Sequence, residues 1–246
     1  MSFVERSGPF AQQCPNPVKR AIMKQGWYDI AYIHFRYEPE EVQRLLPKGL
    51  SVDFHDGSAW VGLIPFSMRG IGIPHLPSIP YLGSFPEVNV RTYVIRDGVP
   101  GVWFCSLDIN RLVPTAVARA TYGLPYCFGA ARHERRGNEL HTFVKRRWPR
   151  GEASTQIHLE IGEEITQPTP LEIFLSARWG LYSLSRSKHI RYAPVSHPQW
   201  SLQRAKIISL QDSLVEAAGF ARPHGDAHVM FSAGVPVRVG LPKLLL

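Results

Sequence analysis

The sequence predicts a single α+β domain built on a mainly antiparallel sheet or barrel, with a few short helices. Its 246 residues, 44% of them apolar, are enough for one sizeable core. The 21 prolines and 20 glycines divide the chain into many short segments, which is typical of strands joined by turns. No internal repeat or interdomain linker is visible between these segments.

The first part of the chain is predicted to pass from an extended lead-in, residues 1–25, into one domain over residues 26–246. Residues 26–37 are rich in aromatic and β-branched side chains and predict a strand. Residues 39–46 predict a short helix, because Pro39 fits a first turn and Pro47 stops it. Asp56-Gly57 predicts a hairpin between strands 51–54 and 59–68. The proline-rich residues 74–86 predict a stiff loop, long enough to be the mouth or lid of a site.

The remaining elements are predicted by the same signals. Strands are expected over residues 85–94 and 101–108, around an Asp97-Gly98 turn, and a helix over 114–122 is closed by Gly123. Residues 126–134 and 139–148 predict a hairpin, and 153–161 a further strand. Thr169 and Glu172 form a capping box that opens a helix to about residue 178. The last predicted elements are strands near 180–185, 189–195 and 200–209, a helix over 211–218 and a strand over 227–239.

The strand over residues 85–94 carries most of the chemistry. Side chains alternate between the two faces of a strand, so this segment places its polar residues together on one face: Glu87, Asn89, Arg91 and Tyr93. That face could meet water, or it could line a ligand cavity, and the alternation does not distinguish the two. In a cavity, an arginine can grip a carboxylate by two parallel hydrogen bonds, while a glutamate can transfer protons.

Charge and cysteine content exclude several classes of protein. The net charge of +8 is concentrated between Arg132 and Arg150, which we interpret as a solvated hairpin because no interleaved aromatic residues suggest nucleic-acid binding. No apolar run approaches the ~20 residues that cross a bilayer, so no membrane partner is predicted. Cys14, Cys105 and Cys127 show no paired spacing and no signal peptide precedes them, so we expect a cytoplasmic protein.

The sequence predicts neither a metal nor another cofactor. His224, Asp226 and His228 are close together, but the intervening glycine removes the helical face that makes paired histidines useful in zinc enzymes. His34, inside an aromatic strand, is expected to be a hydrogen-bonded core residue. No phosphate-binding glycine loop or dinucleotide fingerprint is present in the sequence.

A family resemblance enters at the turn Arg119-Ala120-Thr121-Tyr122-Gly123-Leu124-Pro125-Tyr126-Cys127. It resembles the acetoacetate decarboxylase motif Arg-Glu-x-Tyr-Gly-Phe-Pro-Lys-Lys. The pieces GWYDIAYIHF, FPEVNVRTYV and ARATYGLPY are more similar to a bacterial family of unknown function, the YqjF-like branch of the acetoacetate decarboxylase-like superfamily. The resemblance covers roughly residues 26 to 240. It implies a β-barrel or cone with an internal cavity, helices outside it and self-association.

The resemblance also has consequences for the chemistry. Glu87 stands where the decarboxylases carry a cavity glutamate, whereas Tyr126 and Cys127 replace their lysine pair. In the decarboxylases the first lysine forms an imine with the substrate ketone and the second lowers its pKa. A phenol forms no imine, so we do not expect imine-based decarboxylation here. Cys127 is interpreted as a small buried hydrophobic residue rather than a nucleophile.

Two hypotheses remain open. The cavity could be the site of a lyase, hydratase or isomerase that acts on a small oxo- or hydroxy-acid, or it could bind a small anionic or aromatic molecule as a carrier or sensor. In the enzyme hypothesis Glu87 and Tyr126 are catalytic, and the substrate is bound by Arg91, Asn89, Tyr93, Arg119 and Tyr122. Glu87 and Arg91 are further expected to form a buried pair, so that Glu87→Gln would destabilise the protein.

Overall fold

The computed structural model describes residues 11–149, 152–185 and 187–245. Within these ranges thirteen strands form one sheet. The strands are β1 (Ala21–Tyr37), β2 (Ser51–Val52), β3 (Ala59–Gly72), β4 (Phe85–Arg96), β5 (Val99–Ile109), β6 (Tyr126–Arg136), β7 (Glu139–Trp148), β8 (Ser154–Glu164), β9 (Gly180–Leu184), β10 (Ile190–Ser196), β11 (Gln203–Asp212), β12 (His228–Gly240) and β13 (Lys243–Leu244). The helices are α1 (Pro39–Gln43), α2 (Leu112–Tyr122), α3 (Pro170–Ser176) and α4 (Leu214–Ala217). No helix in the described ranges is long and apolar enough to cross a membrane.

The sheet closes on itself twice. The first ring is a closed nine-stranded barrel in the order β5, β6, β7, β8, β11, β12, β1, β3 and β4, completed by the β4–β5 pairing. The second ring forms because β9 pairs with β5 and β10 pairs with both β9 and β12. It contains β12, β1, β3, β4, β5, β9 and β10, so five strands are common to both rings. The barrel that the family resemblance implied is therefore confirmed, with a second enclosure attached to one side.

Strand β4, which both rings share, buries both of its faces. Val88 and Val90 of β4 pack with Leu63 and Leu140 in the core of the first ring. The other face of β4 looks into the second ring, where Tyr93 belongs to a separate core cluster. The predicted alternation of β4 is thus correct, and both of its faces are interior.

Several local predictions are confirmed. Thr169 and Glu172 form the capping box of α3, which ends at Ser176, two residues before the predicted end. Asp97 and Gly98 both adopt positive φ in the turn between β4 and β5. Strands β6 and β7 form the predicted hairpin. Residues 1–10 of the predicted lead-in and residue 150 of the basic segment lie outside the described residues, and β1 begins at residue 21 rather than 26.

The predicted hairpin between strands 51–54 and 59–68 is wrong in its pairing. The Asp56-Gly57 turn exists, but it is closed only by an isolated bridge between His55 and Ser58. Strand β2 pairs with β4 instead, while β3 pairs with β1 and β4. Two further contacts fix the segment of β2: Gln43 accepts a hydrogen bond from Val52 N at 2.9 Å, and the Asp53 carboxylate forms a buried ion pair with Arg178, which is 125 residues away in the sequence.

Candidate functional site

The second ring encloses a cavity of about 250 Å³. All seven strands of this ring contribute lining residues, and helix α2, the loop between β3 and β4, and the turn from α2 into the start of β6 complete the wall. That loop is the predicted mouth or lid, and it contributes Ile79 and Leu82. The lining is mostly apolar. Its polar side chains are Gln25, Glu87, Asn89, Arg91, Tyr122 and Tyr126.

Glu87 is the acidic group of the cavity and is only 2% exposed. Its Oε2 accepts a hydrogen bond from the Tyr126 hydroxyl at 3.2 Å, and its Oε1 is 3.5 Å from the Asn89 amide nitrogen. Burial raises the pKa of Glu87 to about 8; these two hydrogen bonds oppose the rise, and the charge of Asp108 adds to it. The carboxyl is therefore mostly protonated at neutral pH.

Asp108 supplies a second carboxylate close behind the cavity wall. It pairs across the sheet with Val88 and Cys127, and its oxygens accept two 2.7 Å hydrogen bonds from Arg146. The side chains of Asp108 and Arg146 are 1% and 8% exposed. Arg146 is thus a buried partner and not, as the sequence suggested, part of a solvated hairpin. An aspartate inside the otherwise apolar strand 101–108 was the only sequence signal for this pair.

Arg91 lines the cavity but does not pair with Glu87. Its Nη2 donates to the Tyr93 hydroxyl and to the Leu175 carbonyl, both at 3.2 Å, while its Nε is buried without a partner. Among the described residues, no carboxylate lies within ion-pair distance of Arg91. The predicted Glu87–Arg91 pair is therefore wrong. Four residues along a strand separate the two Cα atoms by roughly 13 Å, so only side chains extended towards each other could meet, and Arg91 instead bonds Tyr93 and Leu175.

Tyr93 lies in the core behind the cavity and is not among the lining residues. Its hydroxyl donates to the Leu175 carbonyl at 2.6 Å and is 2.6 Å from His34 Nε2. Because the single phenol proton goes to Leu175, Nε2 is the protonated nitrogen of His34. His34 is fully buried and hydrogen-bonded as predicted, and burial holds its pKa well below the usual value. These groups fix the orientation of Arg91 instead of meeting a ligand.

Of the predicted site residues near the turn after α2, some line the cavity and one does not. Tyr122 and Tyr126 line the cavity, whereas Arg119 is exposed outside it. Arg119 Nη1 donates to the Tyr126 carbonyl at 2.8 Å, and its guanidinium stacks on Trp148 with 4.7 Å to the ring centre. It therefore supports the start of β6 rather than anchoring a ligand. Gly123, with φ of +66°, allows the reversal between α2 and β6.

Cys127 follows Tyr126 and points away from the cavity. It is 3% exposed, and its sulfur lies 3.6 Å from the Pro125 carbonyl oxygen. Burial raises the pKa of the Cys127 thiol to about 11, so the thiolate form is scarce at neutral pH. The cavity wall carries no lysine among the described residues. The positions that hold the lysine pair in the decarboxylases therefore supply a phenol and an inert thiol.

Outside the cavity, one group of side chains has the spacing of metal ligands within the described ranges. It consists of Glu139, His141 and His158, on two neighbouring strands of the first ring. His228, from the histidine pair considered in the sequence, instead lies 3.9 Å from Glu172.

Comparison with known proteins supports the fold. The chain matches the DUF2071 family, described as "Uncharacterized conserved protein", over residues 24–236. It is 31% identical over 206 residues to the uncharacterized protein YqjF of Bacillus subtilis (strain 168), an alignment that covers 83% of this chain and 85% of that protein.

Solved structures with low sequence identity share the architecture. The enduracididine biosynthesis enzyme MppR complexed with pyruvate superposes with a TM-score of 0.65 at 14% identity, covering 98% of this chain and 99% of that one. An acetoacetate decarboxylase-like enzyme from Sphingomonas wittichii RW1 gives a TM-score of 0.62 at 14% identity, over 93% and 94%. Acetoacetate decarboxylase from Legionella pneumophila gives 0.61 at 12% identity, over 95% and 92%. The fold is that of the acetoacetate decarboxylase-like proteins, as the resemblance predicted.

Proposed function

Because the chain belongs to the DUF2071 family and has an acetoacetate decarboxylase-like fold, we propose that its cavity binds an oxo- or hydroxy-acid on which Glu87 performs proton transfer. The reaction is of the lyase, hydratase or isomerase class and does not use an imine. One observation carries the proposal: a carboxyl with its pKa raised to about 8 lies on the wall of a ligand-sized cavity. Such a group can both donate and accept a proton near neutral pH.

The environment of Arg91 favours a ligand that carries a carboxylate. A buried guanidinium without a counter-ion is costly, and a bound carboxylate would supply the missing charge. Glu87 does not repel such a ligand, because it is mostly neutral at pH 7. MppR, whose structure holds pyruvate, is an enzyme of similar fold with an oxo-acid bound.

The distance between the two polar groups sets the length of the ligand. Because Glu87 and Arg91 are four residues apart on one face of β4 and do not pair with each other, we propose that the ligand reaches both and is longer than pyruvate. The wall between them is mostly apolar. We therefore expect an acid with several methylene groups between its carboxylate and its reactive centre, each adding about 0.8 kcal/mol when buried.

The hydrogen bonds of Glu87 leave one of its two carboxyl oxygens available for proton transfer to a ligand. Tyr126 holds Oε2, whereas Oε1 is only weakly contacted by Asn89, so Oε1 is the atom that would face the ligand. Burial raises the pKa of Tyr126 well above its usual value, which keeps its hydroxyl a neutral donor. In an isomerisation, Glu87 gives its proton to one ligand atom, and the resulting carboxylate removes a proton from a neighbouring carbon. The enzyme returns to its starting state without a co-reactant.

A second candidate is binding without reaction, as a carrier or sensor. The mostly apolar lining favours it, because Glu87 is the only acidic group among the described lining residues. In this case the protonated Glu87 and Tyr126 would serve only as hydrogen-bond partners of the ligand.

A deuterium-exchange experiment separates the two candidates. The protein is incubated in D₂O with 2-oxo and 3-oxo acids of increasing chain length, and deuterium entering the carbons next to the carbonyl is followed by NMR. We expect protein-dependent exchange with the longer acids, its loss in Glu87→Gln, and no change in Glu40→Gln, which alters an exposed acid of α1.

Binding is measured on the same acids by thermal shift. Arg91→Met should lose the ligand-induced stabilisation, whereas Arg69→Met, at a largely exposed position, should keep it. Binding without deuterium exchange would leave the carrier or sensor function. If Arg91→Met binds the acids as wild type does, the proposed carboxylate anchor is wrong.

A further inference from the structure

Two histidines and a glutamate meet on the outer face of the nine-stranded barrel. His141 on β7 lies directly opposite His158 on β8, and Glu139 is two residues before His141 on the same face. The intervening Leu140 and the neighbouring Leu159 are fully buried in the barrel core. The two buried leucines therefore fix the three polar side chains on the outside, in a register that the strands cannot shift without exposing the core.

The ligand atoms have nearly the spacing of a metal site. His141 Nε2 is 3.2 Å and His158 Nε2 is 3.8 Å from Glu139 Oε2, and one ligand atom from each of the three residues lies within 4.8 Å of the other two. Nitrogen and oxygen ligands about 2.0–2.1 Å from a tetrahedral zinc ion stand about 3.3 Å apart. The remaining adjustment is a rotation of partly exposed side chains, which are 28–50% accessible.

The imidazole of His158 has a buried nitrogen that lacks a hydrogen-bond partner among the described residues. Its Nε2 is buried and makes no hydrogen bond among the described residues, since Glu139 Oε2 at 3.8 Å is too distant. The two imidazole rings stack with centroids 4.2 Å apart and planes 23° apart, and the Nε2 atoms of both rings face the Glu139 carboxylate. An ion near Glu139 Oε2 would give both imidazoles a ligand bond.

The surrounding charges also suit a cation. Glu160 is directly opposite Glu139 across the same pair of strands, and Glu134 is opposite His141 on β6. Like charges placed directly opposite on a sheet are unfavourable, and a divalent cation between them would relieve the repulsion. Two positive groups partly offset these negative charges: Arg136 forms an ion pair with Glu134, and Lys206 on β11 is opposite Glu160.

We propose that Glu139, His141 and His158 form a Zn²⁺ site, with water completing the coordination. Two imidazoles and a carboxylate form a borderline-soft ligand set, which suits Zn²⁺ better than Mg²⁺ or Ca²⁺. The ion would join β7 to β8 on a part of the barrel that contributes nothing to the cavity lining. The site is therefore independent of the function proposed for the cavity. The site could not be predicted from the sequence, because His158 meets Glu139 and His141 only through the register between β7 and β8.

The test is calorimetric titration of ZnCl₂ into protein stripped with a chelator. We expect saturable binding of one ion, weakened at least tenfold in His141→Ala, His158→Ala and Glu139→Gln. His224→Ala is the matched control, because it removes an exposed histidine outside the cluster, and it should bind as wild type does. Replacement of zinc by Co²⁺ should give the intense visible absorption of a four-coordinate site, lost in the same three variants.

Each alternative result contradicts the proposal. Wild-type protein without saturable Zn²⁺ binding has no site at this cluster. Unchanged affinity in His158→Ala or Glu139→Gln would mean that the zinc is bound elsewhere. Circular dichroism of the variants, all at partly exposed positions, confirms that lost binding is not lost folding.

Discussion

Replacing Glu87 by glutamine should stabilise the protein at neutral pH, and the gain should grow as the pH rises. A glutamate in the unfolded chain has a pKa near 4.5, whereas burial raises the pKa of Glu87 to about 8 in the folded protein. At low pH the carboxyl is protonated in both states and has no linkage effect. As the pH rises through the unfolded value, the unfolded chain releases the proton and the folded protein keeps it, so folding loses stability.

The size of the effect follows from the two pKa values. Each pH unit between them costs about 1.4 kcal/mol, so at pH 7 the ionisable carboxyl destabilises the fold by about 3 kcal/mol. Glutamine has nearly the same shape, does not ionise, and can still accept the Tyr126 hydrogen bond. The pH-independent loss should therefore be small. The sign is opposite to that expected from a buried Glu87–Arg91 pair, which the structure does not contain among its described residues.

Urea unfolding of the wild type and Glu87→Gln, from about pH 5 to about pH 8, measures this difference. The unfolding free energy of the variant minus that of the wild type should rise by about 1.4 kcal/mol per pH unit, and Glu40→Gln should show no such slope. A flat difference over this range would refute the protonated state of Glu87. A loss of stability in Glu87→Gln that grows with pH would indicate a cationic partner for the carboxylate.

Three further predictions concern the surroundings of the cavity. Asp108→Asn should cost about 3–5 kcal/mol in urea unfolding, because Arg146 is left buried without its partner, and carbon NMR should show a lower pKa for Glu87. Gly123→Ala should lower the unfolding free energy by more than about 1 kcal/mol, because φ is +66° and the new Cβ would overlap the Leu184 carbonyl oxygen. Gly98→Ala, at φ +76° with open space around it, should lower the unfolding free energy less, and the difference between the two variants measures the cost of the overlap. Borohydride with acetoacetate should trap no adduct, and a reduced imine found by mass spectrometry on any lysine would contradict the imine-free reaction.

The sequence predicted the fold class and the polar face of β4 because both rest on local rules. Alternation with period two places Glu87, Asn89 and Arg91 on one face whatever the tertiary structure. The capping box at Thr169 and the Asp97-Gly98 turn depend on neighbours within four residues. The family resemblance supplied the closure of the barrel, which no local rule gives.

What the sequence did not predict depends on contacts between distant segments. Asp108 and Arg146 are 38 residues apart, and they meet only because β5 pairs with β6 in parallel and β6 pairs with β7 antiparallel. The partner of β2 was mistaken because Asp53 is held by Arg178, 125 residues away. Tyr93 shares the face of Glu87 by alternation, yet Leu175 and His34 bind its hydroxyl behind the cavity wall. The raised pKa of Glu87 arises from its burial in the folded protein, which the alternation of side chains along a strand does not predict.

The shared wall of the two rings gives the chain two interleaved sets of positions. On β4, alternate residues such as Val88 and Val90 maintain the packed barrel, while Glu87, Asn89 and Arg91 shape the cavity. Under the proposed function, substitutions in the second set should change which ligand binds, while the first set preserves the scaffold. A library that randomises only the cavity-facing residues of the shared strands would therefore explore new specificities on an unchanged barrel. The thermostability of the library members would show how far the cavity-facing residues can change without disturbing the barrel core.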